Sequence, residues 1–170
     1  MKKNTSHRPP RPRSEFEEQV IQVDRVTRVV AGGRRMRFRA AVIVGNRKGK
    51  VGMGIAKSDE VATAVKKAVN QAKKNLIEVA LFKDTIAHSV KSKFKSSLVL
   101  LMPAYTGTGV IAGGSVRTVV ELAGIGNILT KAHRSNNKLN TAYATLQALS
   151  ELRKVEEPEA KSAEKAPVKK

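Results

Sequence analysis

The sequence predicts an α+β protein made of two parts, each with a small sheet and at least one helix. Three observations lead to this prediction. From Met36 to Val44 the apolar residues Met36, Phe38, Ala40, Val42 and Val44 alternate with Arg37, Arg39, Ala41 and Ile43, a period of two that is typical of a strand. From Val61 to Leu76 apolar residues recur at helical spacing. From about Asp84 a second series of strand and helix patterns begins.

The first part is predicted to cover residues 15–83, after a disordered arm at residues 1–14 that has five Lys and Arg, three prolines and no acidic residue. Imperfect alternation between Val20 and Val30 predicts a first strand with a bulge. The central strand Met36–Val44 and a third strand Val51–Ile55 follow, separated by glycine turns. We therefore expect a three-stranded antiparallel sheet.

A basic amphipathic helix is expected after the third strand. Ser58 is the predicted N-cap, and Asp59 and Glu60 suit the first turn. The predicted inward positions are Val61, Val65, Ala68, Val69, Ala72 and Leu76, whereas Lys66, Lys67, Asn70, Lys73 and Lys74 lie outside. The apolar stripe is structural, and RNA contact by the lysines stays open because exposed lysine is ordinary.

The second part is predicted to cover residues 84–153, and residues 154–170 form a disordered tail of mixed charge. A hairpin is expected up to the apolar run that Pro103 closes, and a helix that Ser115 caps and Gly124 ends. Residues 128–132 predict another strand. Residues 140–152 predict a last helix, with Ala144, Leu146, Ala148 and Leu149 inward.

The stretch from Arg25 to Lys57 holds ten Lys and Arg and no Asp or Glu. We expect the turn from Ala31 to Arg35 to carry Arg34 and Arg35 on a mobile tip, beside an exposed arginine face suited to phosphates. The alternative is a solvated edge whose charges only discourage aggregation. The predicted RNA-binding residues are Arg28, Gly32, Gly33, Arg34, Arg35, Arg37, Arg39, Arg47, Lys48, Lys50, Gly52, Gly54 and Lys57.

The overall charge narrows the class of partner. A net charge of +19 favours polyanions. A membrane is disfavoured because no run approaches the roughly 18 apolar residues that span a bilayer. Aromatic residues are only 4% and scattered, which favours folded or duplex RNA over base stacking, although DNA stays open. The chain has no cysteine and its N-terminus has no apolar signal segment, so we expect a cytoplasmic protein.

Enzymatic patterns are weak in this sequence. Residues Gly107 to Ala112 match a loose dinucleotide fingerprint before a helix, but no acidic residue follows at the distance needed to bind a ribose. His7, His88 and His133 share no metal-ligand spacing. We therefore expect no catalytic residue, no metal site and no cofactor.

Four segments identify a family resemblance that covers roughly Glu15 to Arg153: VTRVVAGGRRMRF, VGNRKGKVGMGIAKSDEVATAVKKAVNQAKKN, GTGVIAGGSVRTVVELAGI and RSNNKLNTAYATLQAL. In this order and spacing they closely resemble bacterial small-subunit ribosomal protein S5. The resemblance implies an N-terminal domain similar to a double-stranded-RNA-binding fold and a C-terminal α+β domain with a left-handed crossover.

The same resemblance implies a structural protein of the small subunit that binds its ribosomal RNA, supports assembly and contacts ribosomal proteins S4 and S8. It places the loop Ala31 to Arg35 near the spectinomycin site, and it associates the basic residues with the mRNA entry path and with translational accuracy. Two alternatives stay open from the residues alone. One is a free-standing RNA chaperone or RNA-binding repressor, and the other is a nucleotide-dependent enzyme built on Gly107 to Ser115.

Overall fold

The computed structural model describes residues 15–153, so the predicted arm at 1–14 and the predicted tail at 154–170 lie outside the described residues. Two mixed halves follow one another along the chain. The elements are β1 (Glu17–Val30), β2 (Gly33–Gly45), β3 (Lys50–Ser58), α1 (Val61–Lys74), β4 (Leu76–Glu78), β5 (Leu81–Phe82), β6 (Thr85–Ile86), β7 (Val90–Phe94), β8 (Ser97–Pro103), β9 (Val110–Ile111), α2 (Gly114–Ala123), β10 (Ile128–His133) and α3 (Lys138–Ser150). The α+β class predicted from the sequence is confirmed.

The first sheet is antiparallel and has the order β1-β2-β3-β4. The expected bulge in β1 is confirmed, because the register with β2 shifts between Val20 and Gln22. The prediction of three strands is wrong by one. Helix α1 ends at Lys74, and Leu76, which was expected on its inward stripe, begins a short fourth strand that pairs with Gly52 of β3.

Helix α1 covers one face of this sheet. Its residues Ala68, Val69 and Ala72 form a core with Val42 and Val44 of β2, and its lysines are exposed, as the spacing predicts. Val61, expected inward, is instead exposed.

The predicted cap of α1 is wrong. Ser58 is still in β3, where it lies opposite Phe38, and Glu60 precedes the helix without a side-chain capping bond. The cap was misplaced because β3 continues three residues beyond the predicted end at Ile55.

The opposite face of the first sheet packs against the second half of the chain. Ala41 and Ile43 of β2, with Val51 and Met53 of β3, belong to one core with residues of α2 and α3. Arg37 and Arg39 share this face of β2 with Ala41 and Ile43, so the expected exposed arginine face is wrong from Ala41 onward. The two halves therefore share a core, and the boundary between residues 83 and 84 stays a prediction.

The second sheet has the order β7-β8-β10-β9. Strands β7 and β8 form the expected hairpin, β10 pairs antiparallel with β8, and β9 runs parallel to β10. Helix α2 makes the crossover between β9 and β10, and the left hand of this crossover stays an expectation from the resemblance. Within residues 15–153 no helix is long and apolar enough to cross a membrane.

The helix ends of the second half differ in detail from the prediction. Helix α2 begins after Gly113, so Ser115 lies inside its first turn and is not the cap. Gly124 ends α2 with a φ of +91°, which confirms the predicted glycine stop. Helix α3 is capped by Asn137, whose side chain accepts a hydrogen bond from the Leu139 N–H. The four residues predicted inward on α3 are all buried.

Candidate nucleic-acid interface

Strands β1 and β2 extend beyond the rest of the first sheet as a two-stranded hairpin. Strand β3 pairs with β2 only from Phe38 to Gly45, so the segment from residue 25 to residue 37, here called the hairpin end, has no third strand beside most of its length. This segment contains five arginines and no Asp or Glu. All its residues are exposed except Val26, which is half-buried.

The two strands of the hairpin end meet in a tight turn at Ala31 and Gly32. Gly33 has a φ of +136°, and a β-carbon at Gly32 or Gly33 would meet nothing within 4 Å. The sequence places Arg34 and Arg35 on a mobile turn, and this is wrong, because both are paired residues of β2. The turn is shorter than expected because the ladder continues to the pair Val30 and Gly33.

Arginines project from both faces of the hairpin end. Arg35 lies opposite Arg28 in the register, and directly opposed residues of an antiparallel pair project to the same face. Arg34, one residue earlier, projects to the other face together with Val29. An anion can therefore approach arginines from either side of the ribbon.

Further along β2 the predicted phosphate ligands are paired with carboxylates. Arg37 Nε lies 3.0 Å from Asp59 Oδ1. Arg39 donates from Nε and Nη2 to Asp24 Oδ2, at 3.1 and 2.6 Å. Lys57, opposite Arg39 in the register, is exposed.

The Asp24 carboxylate is held by two neighbours. The hydrogen bond from Arg39 is the main reason that the pKa of Asp24 is lowered, and a 2.6 Å hydrogen bond from the Gln22 amide adds to the effect. Partial burial opposes this, and the positive charge of Lys138 at the start of α3 lowers the pKa slightly further. The pair therefore joins β1 to β2 as an ionised unit.

The turn between β2 and β3 lies at the far end of the sheet. Arg47 Nη2 is 2.8 Å from Glu17 Oε2, and Lys50 Nζ is 3.1 Å from Glu78 Oε1. Lys48 is exposed, and its backbone N–H donates to the Asn46 side chain at 2.8 Å. The expected unbalanced basic stretch is thus partly neutralised by four carboxylates that lie outside it in the sequence.

This turn is also bonded to the C-terminal end of α2. The N–H of Arg47 donates to the Leu122 carbonyl at 3.0 Å, and the N–H of Gly49 donates to the Ala123 carbonyl at 2.9 Å. Gly124 lies so close to the Arg47 carbonyl oxygen that a β-carbon there would overlap it. The turn therefore belongs to the contact between the two halves of the chain.

Gly52 and Gly54 are not available to a phosphate. A β-carbon on Gly52 would lie 2.6 Å from the Ala72 carbonyl oxygen, and one on Gly54 would overlap the Ala68 carbonyl oxygen. Both are buried beneath α1. Their assignment as RNA-binding residues is wrong, because α1 occupies the close approach that these glycines permit.

The predicted site residues do not form one patch. Gly33 and Gly45 bound β2 and are twelve residues apart, which corresponds to about 40 Å along a strand. The hairpin end holds Arg28 and Arg34, whereas Arg47 is at the far end. Sequence reasoning omitted Arg25, whose guanidinium contacts the Met36 sulfur at the base of the hairpin end; its position in the same acid-free stretch was the available signal.

The glycine segment from Gly107 has its backbone donors occupied. The N–H groups of Gly107 and Gly109 donate to the side-chain oxygen of Asn127, at 3.1 and 2.9 Å. A dinucleotide fingerprint needs such N–H groups free for a phosphate. Within residues 15–153 no three His, Asp or Glu side chains come together in an arrangement that could hold a metal ion.

Comparisons with known proteins cover most of the chain. The family model described as ribosomal protein S5, N-terminal domain, matches residues 16–80, and that described as ribosomal protein S5, C-terminal domain, matches residues 92–162. Two curated relatives are named small ribosomal subunit protein uS5 and come from Campylobacter jejuni strains 81-176 and RM1221. Each is 57% identical to this chain over 141 residues, which is 83% of this chain and 96% of the relative.

Proposed function

Because the chain belongs to the ribosomal protein S5 family, we propose that its hairpin end is the main contact with small-subunit ribosomal RNA. Family membership gives the coarser statements. The chain is a protein of the small ribosomal subunit, it binds ribosomal RNA, and it is ribosome-bound in the bacterial cytoplasm. Its family is one of structural proteins and not of enzymes.

The observation that supports the hairpin end is its exposed positive charge. Five arginines lie between residues 25 and 37 without a carboxylate among them. A guanidinium binds phosphate through two parallel N–H donors, and in water-exposed positions phosphate contacts dominate the affinity of RNA-binding proteins. Arg28 and Arg35 serve one face of the ribbon and Arg34 serves the other, so the hairpin end contacts phosphates of two RNA segments that flank it.

The remaining basic residues of the predicted site have a secondary role in this proposal. Arg37, Arg39, Arg47 and Lys50 each have a carboxylate partner, so RNA gains less from them than from an unpaired cation. Lys48 and Lys57 are exposed lysines that add attraction without bidentate geometry. The open turn at Gly32 and Gly33 lets an RNA backbone approach the tip closely.

We extend the proposal to the finer roles that the resemblance implies. These are support of subunit assembly, contacts with ribosomal proteins S4 and S8, a place for basic residues beside entering mRNA, and an effect on translational accuracy. The family relationship supports them, and the strongly basic charge suits a protein that lies among nucleic acids.

Chemical footprinting of small-subunit ribosomal RNA tests the proposal. The full chain is compared with the triple variant Arg28→Ala, Arg34→Ala, Arg35→Ala at two salt concentrations. We expect discrete protections that survive the higher salt, a subset of which disappears in the variant. The matched control is Lys66→Ala, Lys67→Ala, Lys73→Ala on the outer side of α1, which removes the same charge and should retain that subset.

Two results would contradict the proposal. Loss of the same protections in both triple variants would mean that total charge, and not the hairpin end, determines binding. Diffuse protection that vanishes at the higher salt would mean that no shaped site exists, and would favour a free-standing RNA chaperone or repressor.

A further inference from the structure

The second sheet has one face that no described element covers. Its inner side chains, such as Val99 and Leu101, pack against α3 and α2. The alternate side chains point the other way, and the pairing register brings five apolar ones together: Leu98, Leu100, Met102, Ile111 and Leu129. None of these five belongs to a core cluster of the described residues. We call this surface the outer face.

The sequence of β8 is typical of a strand that is covered on both sides. Its run Leu98 to Met102 is apolar at every position, whereas a strand with one solvated face alternates apolar and polar residues. Ile111 is 51% exposed, and the other four are half-buried only by their own neighbours in the sheet. Contiguous exposed apolar surface of this kind marks a contact with another molecule.

Basic side chains border the apolar centre. Lys91 of β7 and Lys131 of β10 are both opposite Leu100 in the register, so an exposed lysine lies on each side of it. Lys93 of β7 occupies the position opposite Leu98. The strands β7 to β10 contain no Asp or Glu, so any partner must bring the negative charge.

We propose that the outer face binds a protein surface with an apolar centre and carboxylates at its border. The aliphatic centre favours a protein over RNA, because it offers neither a ring for base stacking nor a donor for phosphate. Four strands about 4.8 Å apart give a width of about 14 Å, which is enough for the buried centre of a standard protein interface. This contact lies on the second sheet and goes beyond the RNA contact proposed for the hairpin end.

The test uses the full chain in reconstituted small ribosomal subunits. A photo-reactive amino acid replaces Leu100, and the cross-linked partner is identified after irradiation of the purified subunits. A cross-link to an acidic segment of another subunit protein supports the proposal. A cross-link to ribosomal RNA, or no cross-link in assembled subunits, overturns it. Ile111, already half exposed, is the second position for the probe if the Leu100 variant does not assemble.

Charge variants separate a specific contact from chance proximity. With the probe in place, Lys91→Glu with Lys131→Glu should lower the cross-link yield about tenfold, because like charges then face each other across the interface. The matched control, Lys91→Arg with Lys131→Arg, should retain it. Equal yields in the two variants would overturn the proposal. Arg34→Ala with Arg35→Ala should weaken RNA binding and leave this cross-link unchanged, so the two proposals can fail separately.

Discussion

Gly54 of β3 lies directly against Ala68 of α1, so close that a β-carbon on Gly54 would overlap the Ala68 carbonyl oxygen. The helix can reach this depth only because β3 has no side chain there. The same substitution therefore has opposite consequences at glycines of the hairpin turn and glycines beneath α1.

We expect Gly54→Ala to lower the free energy of unfolding by about 2–3 kcal/mol, because the new methyl group forces α1 away from the sheet. Gly32→Ala is the control, since a β-carbon at Gly32 meets nothing within 4 Å, and it should change stability by less than about 0.5 kcal/mol. Denaturant unfolding of the two variants measures both values. Similar losses would contradict the packing account.

Gly124 tests the contact between the two halves of the chain. Gly124→Ala meets two obstacles, a φ of +91° and overlap with the Arg47 carbonyl oxygen, whereas Gly109→Ala meets only a φ of +73° in open space. A positive φ costs a non-glycine residue about 1–2 kcal/mol. We expect thermal unfolding to show a clearly larger loss for Gly124→Ala; equal losses would mean that the overlap is relieved without cost.

The Asp24 and Arg39 pair should make stability depend on pH in a defined direction. The pKa of Asp24 is lower in the folded chain than its usual value of 3.8, so the pair stabilises fully above about pH 4–5 and its contribution is lost as the pH falls through the lowered pKa. Asp24→Asn should therefore cost about 0.5–1 kcal/mol near neutral pH and nothing at the acid end.

The control for this prediction is Asp59→Asn. The pair of Asp59 with Arg37 has side chains 71% and 50% exposed, against 25% and 34% for Asp24 and Arg39. Exposed pairs contribute little because water and salt screen them. Unfolding free energies of the three proteins between pH 2 and pH 7 should show a pH-dependent difference mainly for Asp24→Asn, and a parallel shift at every pH would point to poorer packing instead.

RNA affinity as a function of salt tests the hairpin end quantitatively. Arg34→Ala with Arg35→Ala should reduce the slope of log affinity against log salt by about 0.7–0.9 for each phosphate that the variant no longer binds, with little change in stability. Arg37→Ala should reduce it less, because the Asp59 carboxylate already balances that charge. An unchanged slope in the double variant would remove Arg34 and Arg35 from the interface.

Local patterns in the sequence predict the elements well. The period of two from Met36 to Val44 gives β2, and helical spacing gives the inward residues of α1 and α3. The errors lie at element ends, where Ser58 and Ser115 looked like caps but the preceding strand or the following helix is longer than its apolar pattern.

Contacts between distant parts of the chain could not be read in this way. The carboxylates beside Arg39 and Arg47 come from β1, fifteen and thirty residues away, and no local period encodes such a pair. One signal was available for the covered face of β2: the residues from Ala40 to Val44 are apolar without interruption, which is typical of a strand buried on both sides.

The bonding of the β2–β3 turn to the end of α2 makes strand β2 a lever. Its far end is fixed to the second half through Arg47 and Gly49, and its free end carries Arg34 about 40 Å away. A rotation of about 5° at the fixed end displaces the free end by roughly 3–4 Å, more than the length of a hydrogen bond. Small differences in how the second half is seated are therefore magnified at the arginines.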